Sequence, residues 1–278
     1  MALLVKTKAE TVVKLFREAS AFKSMESVIK AHGKIAGDGA PADFARVKLE
    51  PNGKKEARRY LDAEPGDELN LDAREIAAFR ALKSAGKDGA VPVEKVEALI
   101  REGLLARYQA YHTKGLAGIA PYERKSGHQL LASDELSLAA KQAKLVAKYF
   151  PSVYEAMINY PAAKIKEGEV LEEQFYWLNI ALFGRPMYVL SHRMLFRIGE
   201  AYITTDRHFY TSHDYNSLQQ GMVSLPTKDG MLVNFLTRVS TDQVAGFGSG
   251  MKHPVSRAIM GPYIKDLLEA LRAKAEKQ

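Results

Sequence analysis

The stretch Met187-Tyr-Val-Leu-Ser-His-Arg-Met-Leu-Phe-Arg-Ile198, then Gly199-Glu200, then Ala201-Tyr-Ile-Thr-Thr-Asp-Arg-His-Phe-Tyr-Thr211, decides the fold. Tyr188, Leu190, His192, Met194, Phe196 and Ile198 alternate with Val189, Ser191, Arg193, Leu195 and Arg197, the period of two that a pleated strand imposes. Gly199 makes a hairpin, and Tyr202 to Thr211 is the second strand. A third strand covers about Tyr215 to Leu225, Asp229-Gly230 is a hairpin turn, and Met231 to Val239 is the fourth strand. A two-residue hairpin at Gly199 sets Arg207 opposite His192. The Asp-Gly turn puts Leu218 and Met222 on one face with Val233, Phe235 and Val239. Val223, Leu225, Leu232 and Leu236 fall on the other, so the sheet needs cover on both sides.

That cover comes from helices. Val255, Ile259, Tyr263, Leu267 and Leu271 recur at i+4, which predicts a long C-terminal helix with a kink at Gly261-Pro262. Thr7-Lys-Ala-Glu10 is a capping box, and Val12, Leu15, Phe16, Ala19, Phe22, Met25 and Ile29 continue it as an amphipathic helix that Gly33 stops. Residues 33–70, rich in Gly, Pro and charge, are an irregular connection. Asp72-Ala-Arg-Glu75 opens a second helix that ends near Gly86, and Pro92 opens a third that reaches Tyr111. Ser133 caps a fourth through Tyr149, and a short one ends before Pro161. Leu171, Phe175, Leu178 and Leu182 predict a helix over Glu167 to Phe183, with Gly184 and Pro186 as its stop. The expectation is an α+β chain. A mostly helical region (1–165) packs on an antiparallel sheet of about four strands closed by the C-terminal helix (166–278), the two parts forming one integrated domain.

Composition bounds the chemistry. The 278 residues include no cysteine, which excludes thiol catalysis, Cys-bound zinc, iron–sulfur clusters and disulfides. The chain is expected to be soluble, with no membrane span and no signal peptide, and either a cytoplasmic or a periplasmic setting fits. Net charge is +7, and residues 1–60 hold 13 Lys/Arg against 7 Asp/Glu. The basic N-terminal helix can therefore meet an anionic membrane surface or dock on the protein's own core. Basic residues without interleaved aromatics or a recognised motif speak against nucleic acid.

The densest polar cluster is Asp206 to Asn216. His208 or His213 can act as general base, Asp206 or Asp214 can orient its imidazole, and Tyr210 can donate to a developing oxyanion. Alternation projects Asp206, His208 and Tyr210 to one side, where a solvent-facing strand of cross-strand polar pairs is the plainer alternative. His208 and His213 are an odd number apart and form no metal-ligand pair, so neither metal nor cofactor is expected. His192 is either a hydrogen-bonded core residue or, with Arg207, a grip for an anionic group. Tyr215 and Asn216 complete the candidate ligand set. Trp177, the only tryptophan, reads as core or pocket wall. Lys252, in the Gly-rich run 246–253, can add charge beside backbone amides or simply belong to a flexible connection.

Consecutive antiparallel strands, a Gly-rich loop and a C-terminal helix over about 187–276 resemble the final part of START-type, helix-grip lipid-binding domains. The resemblance implies a sheet wrapped round a hydrophobic ligand under the helix. Two functions follow as expectations. One is binding of an apolar or amphipathic small molecule, lipid or isoprenoid-like, between sheet and helices. The other is a cofactor-independent enzyme of cyclase, lyase or hydrolase type that uses the His/Asp/Tyr cluster in the same pocket.

Overall fold

The computed structural model describes residues 2–18, 28–66, 68–86, 91–181, 184–242, 269 and 272–277. Among them a seven-stranded antiparallel sheet runs in the order β1-β9-β8-β7-β6-β5-β2. Its strands are β1 (Ala2–Val5), β2 (Ile29–Ile35), β5 (Val170–Ile180), β6 (Met187–Ile198), β7 (Ala201–Thr211), β8 (Ser217–Thr227) and β9 (Gly230–Ser240). The short β3 (Tyr122–Glu123) and β4 (Gln129–Leu130) pair separately. The helices are α1 (Ala9–Arg17), α2 (Gly53–Leu61), α3 (Ala73–Ala85), α4 (Val93–Lys114), α5 (Ala132–Lys141), α6 (Lys144–Tyr149) and α7 (Pro151–Asn159).

The four expected strands are present as β6 to β9, and both turn-derived registers hold. Gly199 has φ +58, His192 pairs with Arg207, and Met222 pairs with Phe235. The sheet is nevertheless larger than expected. Within the segment expected to be a helix over Glu167 to Phe183, Val170–Ile180 is instead strand β5, paired with β6 on one edge and β2 on the other. Residues 174–180 of β5 are all buried, so both of its faces are covered, and a mostly apolar run of that kind matches helical spacing by accident. The N-terminal helix likewise stops at Arg17, and Ile29–Ile35 is a strand rather than the helix's end. Thr7 does not cap α1: Lys8 holds the cap position without a side-chain bond, and Thr7 Oγ1 donates to the Ala275 carbonyl at 3.1 Å.

Other local signals act as read. Asp72 accepts from the amides of Arg74 and Glu75 while Glu75 accepts from the Asp72 amide, a complete capping box on α3. Ser133, by contrast, does not cap: it lies inside α5, whose cap position is Leu131 without a side-chain bond, and the helix expected through Tyr149 divides into α5 and α6. The expected helix over 255–271 falls almost wholly outside the described residues, of which 269 and 272–275 are helical.

Strand alternation defines two faces. Phe175, Trp177, Tyr188, Leu190, His192 and Arg207 point to the one on which the helices pack. There they join Phe44, Leu49, Phe79, Val96, Leu104, Tyr108 and Tyr111 in the largest core cluster. Tyr176, Leu178, Val189, Ser191, Arg193, Asp206 and His208 point to the opposite face. At its β1–β9–β8 edge lies α1, whose Val12 packs with Val5, Met231, Val233 and Ala275. The apolar stripe of α1 is thus buried against the sheet, while Lys8, Lys14 and Arg17 stay exposed. Among the described residues no helix is long and apolar enough to cross a membrane.

Candidate functional site

The hairpin at Gly199 pairs Arg193 with Asp206 and Ser191 with His208, and β8 sets Gln220 opposite Asp206. These side chains therefore converge on the opposite face. Asp206 Oδ1 accepts from Ser191 Oγ at 2.6 Å, and Oδ2 accepts from Gln220 Nε2 at 3.1 Å. Arg193 Nε stands 4.0 Å from Oδ2, its guanidinium 4.5 Å over the Phe16 ring of α1. His208 lies between two groups: Nε2 is 3.8 Å from Asp206 Oδ1, and Nδ1 is 2.6 Å from the Tyr215 hydroxyl. Burial pushes the His208 imidazole below its ordinary pKa; Asp206 opposes that shift and Arg193 adds to it. Burial thus favours the neutral ring, whose Nδ1 faces the Tyr215 hydroxyl. Asp206 stands where it would stabilise the imidazolium, and Tyr215 supplies a phenol. Chemically, the group can bind a polar head or move a proton.

A second network occupies the helix-packed face directly behind. His192 Nε2 is 2.9 Å from Glu173 Oε1, and Nδ1 is 2.9 Å from the Tyr111 hydroxyl of α4. Arg207 donates to that hydroxyl at 3.2 Å, to Gln219 Oε1 at 2.9 Å and to the Met157 carbonyl of α7 at 2.5 Å. Since the Tyr111 hydroxyl accepts a hydrogen bond from Arg207, its own O–H donates to Nδ1, and the neutral ring donates its Nε2–H to Glu173. Burial and the Arg207 charge hold His192 below its ordinary pKa, against the pull of Glu173. Burial raises the Glu173 carboxyl, but His192, His112 and the Tyr160 hydrogen bond lower it and the net shift is downward. His192 and Arg207 are opposite each other as the hairpin required. They are joined through Tyr111 inside the core, however, and Arg207's donors are taken by protein partners.

Tyr210 does not join Asp206 and His208. Leu190 pairs with Tyr210 while Ser191 pairs with His208, so Phe209 is a β-bulge and the alternation slips by one residue. Tyr210 lands on the helix-packed face, 4.3 Å under the Arg107 guanidinium, which grips Glu75 with two bonds of 2.8 and 2.5 Å. His213 and Asp214 form a separate pair at the β7–β8 turn. His213 Nε2 donates to the Pro186 carbonyl at 3.1 Å, and Nδ1 is 3.0 Å from Asp214 Oδ1. Asn216 binds Glu135 Oε1 of α5 at 3.0 Å and accepts from Arg124 at 3.3 Å, which makes it a tie between layers. Trp177 is fully buried on the helix-packed face, its Nε1 donating to the Asp43 carbonyl at 2.7 Å. Lys252 lies outside the described residues.

Of the proposed site residues, then, Asp206, His208 and Tyr215 come together. Sequence reasoning missed Ser191, Arg193 and Gln220: the Gly199 hairpin register places Ser191 and Arg193 beside His208 and Asp206, whereas Gln220 reaches Asp206 only through the β7–β8 pairing, which neither hairpin sets. Tyr111 had no such signal, because only helix packing brings α4 to β6. Among the described residues no cluster of three or more His, Asp or Glu side chains is placed to hold a metal ion. Compared with protein-family models, curated proteins and solved structures, the chain matches none.

Proposed function

We propose that the protein binds an amphipathic small molecule, lipid or isoprenoid-like, against the sheet face that carries Asp206 and His208. One observation carries the reading: the two halves of that face differ in polarity. Ile29, Tyr176, Leu178, Ile180, Met187 and Val189 form an apolar cluster at one end of β2, β5 and β6. Tyr215 packs against that cluster and bonds His208, so the apolar strip runs directly into the polar group of Ser191, Arg193, Asp206 and Gln220. An apolar chain along Leu178 and Val189 would leave its polar end at His208. Few polar groups in an apolar wall is the usual make-up of a small-molecule site.

Native mass spectrometry with organic extraction tests this. A co-purified amphiphile at one per chain, lost on Leu178→Asp, is the expected result. An empty protein whose melting is unmoved across a lipid panel would remove the reading. The position of His208 between Asp206 and Tyr215 favours a second reading, acid–base catalysis on the bound molecule. His208→Asn would then keep binding and abolish turnover, and unchanged turnover would eliminate it.

A further inference from the structure

A second surface stands apart from that site. From Leu136 to Tyr154 the chain has no Asp or Glu, yet it carries Lys141, Lys144 and Lys148. Ala132, Leu136, Ala139 and Ala140 of α5 are buried and Val146 of α6 packs on the core, while Leu138, Lys141, Lys144, Leu145, Lys148 and Tyr149 turn to solvent. Of the apolar ones, Leu138 is 54% exposed, Leu145 72% and Tyr149 57%. Lys148 Nζ lies 4.9 Å over the Tyr149 ring. At the C-terminal end of α5, Gln142 accepts from Arg238 of β9. Leu236 and Leu232 share the face of Arg238 by alternation and are 65% and 40% exposed, with Leu225 paired to Leu232. The Arg238–Gln142 bond thus joins two exposed apolar areas, one on α5–α6 and one on β8–β9. Single exposed leucines are ordinary, but a joined group of them bordered by cations is an interaction surface.

We infer that this α5–α6–β9 surface docks the protein on an anionic lipid bilayer. Charge decides between occupants. A second copy packed two-fold on the same patch would set Lys141, Lys144 and Lys148 against their own images, with no carboxylate between Leu136 and Tyr154 to relieve them. A bilayer meets both chemistries at once. Leu145, Leu138 and Tyr149 enter the headgroup–acyl boundary, and the lysine ammonium groups reach lipid phosphates and carboxylates on their flexible stems. The basic helix α1 cannot do this, since its apolar stripe is buried on β1 and β9. The inference does not depend on the ligand site, whose residues point elsewhere.

The test is co-sedimentation of the full chain with vesicles of phosphatidylcholine alone and with about one-third phosphatidylserine. Binding to the serine-containing vesicles that fades as salt rises from about 0.05 to about 0.5 M is expected. Lys141→Gln/Lys144→Gln/Lys148→Gln should lower the partition coefficient about a hundredfold, at about fivefold per lysine. Leu145→Ser/Leu236→Ser should also weaken binding, with melting unchanged because both side chains are exposed. Lys8→Gln/Lys14→Gln/Arg17→Gln should leave most of it. Absence of vesicle binding, equal binding by the lysine triple variant, or a concentration-dependent dimer that Leu236→Ser dissolves would each overturn the inference.

Discussion

Gly33→Ala isolates the packing of the strand that sequence periodicity missed. Gly33 pairs with Trp177 in the β2–β5 ladder, and a Cβ there would stand 2.3 Å from Trp177 Nε1 and 2.7 Å from Cε2. Trp177 is fully buried and donates to the Asp43 carbonyl, so it has no room to yield without giving up that bond. Overpacking costs about 1–3 kcal/mol, and an orphaned buried donor costs about 1–3 more, so about 3 kcal/mol is a fair expectation. In a chain of this size that lowers Tm by about 6–12 °C. Gly37→Ala is the control: its φ is +49 with no atom within 4 Å of the added Cβ, so only the backbone penalty of about 1 kcal/mol applies. Circular dichroism follows unfolding, and emission from the sole tryptophan reports the local packing. Repeating Gly33→Ala in a Trp177→Phe background removes the atoms the Cβ meets, so the cost should fall below about 1 kcal/mol. A cost under about 0.5 kcal/mol that is the same in both backgrounds would refute the packing.

The remaining predictions concern buried charge. Arg107→Met leaves the Glu75 carboxylate without its ion-pair partner and should cost about 3–5 kcal/mol in urea unfolding, whereas adding Glu75→Met should restore only part of it, because the Asp72 amide then loses its capping acceptor; additive losses would show that the pair is not coupled. His192 and His208 are both held below their ordinary value of 6.5, chiefly by burial. The unfolded chain therefore binds protons that the folded rings refuse. Stability should fall as pH drops below about 6.5, by up to about 1.4 kcal/mol per pH unit for each ring. His208→Gln should flatten that slope, and an unchanged slope would mean that His208 titrates alike in both states.

Legibility in the sequence followed the range of the interactions involved. The two hairpins were readable because Gly199 and Asp229-Gly230 set register locally, and the Gly199 register alone places Ser191 and Arg193 on the face of Asp206 and His208. The Asp72 capping box was readable for the same reason, since its bonds span three residues. Tyr210 was misplaced because alternation is blind to a bulge: Phe209 stacks 3.9 Å from Tyr111, an α4 residue nearly a hundred positions away. The helix expected over Glu167 to Phe183 failed on similar grounds. An apolar run buried on both faces carries no period, and only pairing with β2 and β6 settles it as a strand.

By itself, then, the sequence determined the α+β class, the β6–β9 meander with its two hairpin registers, and the closeness of His208 to Asp206. Turn chemistry and side-chain alternation act within a few residues and so are written locally. Tertiary structure alone decided that β1, β2 and β5 complete a seven-stranded sheet, that Tyr111 locks His192, and that Tyr210 crosses to the helices. Each of those rests on pairing or packing between distant segments, whose free energy exists only once the chain has closed upon itself.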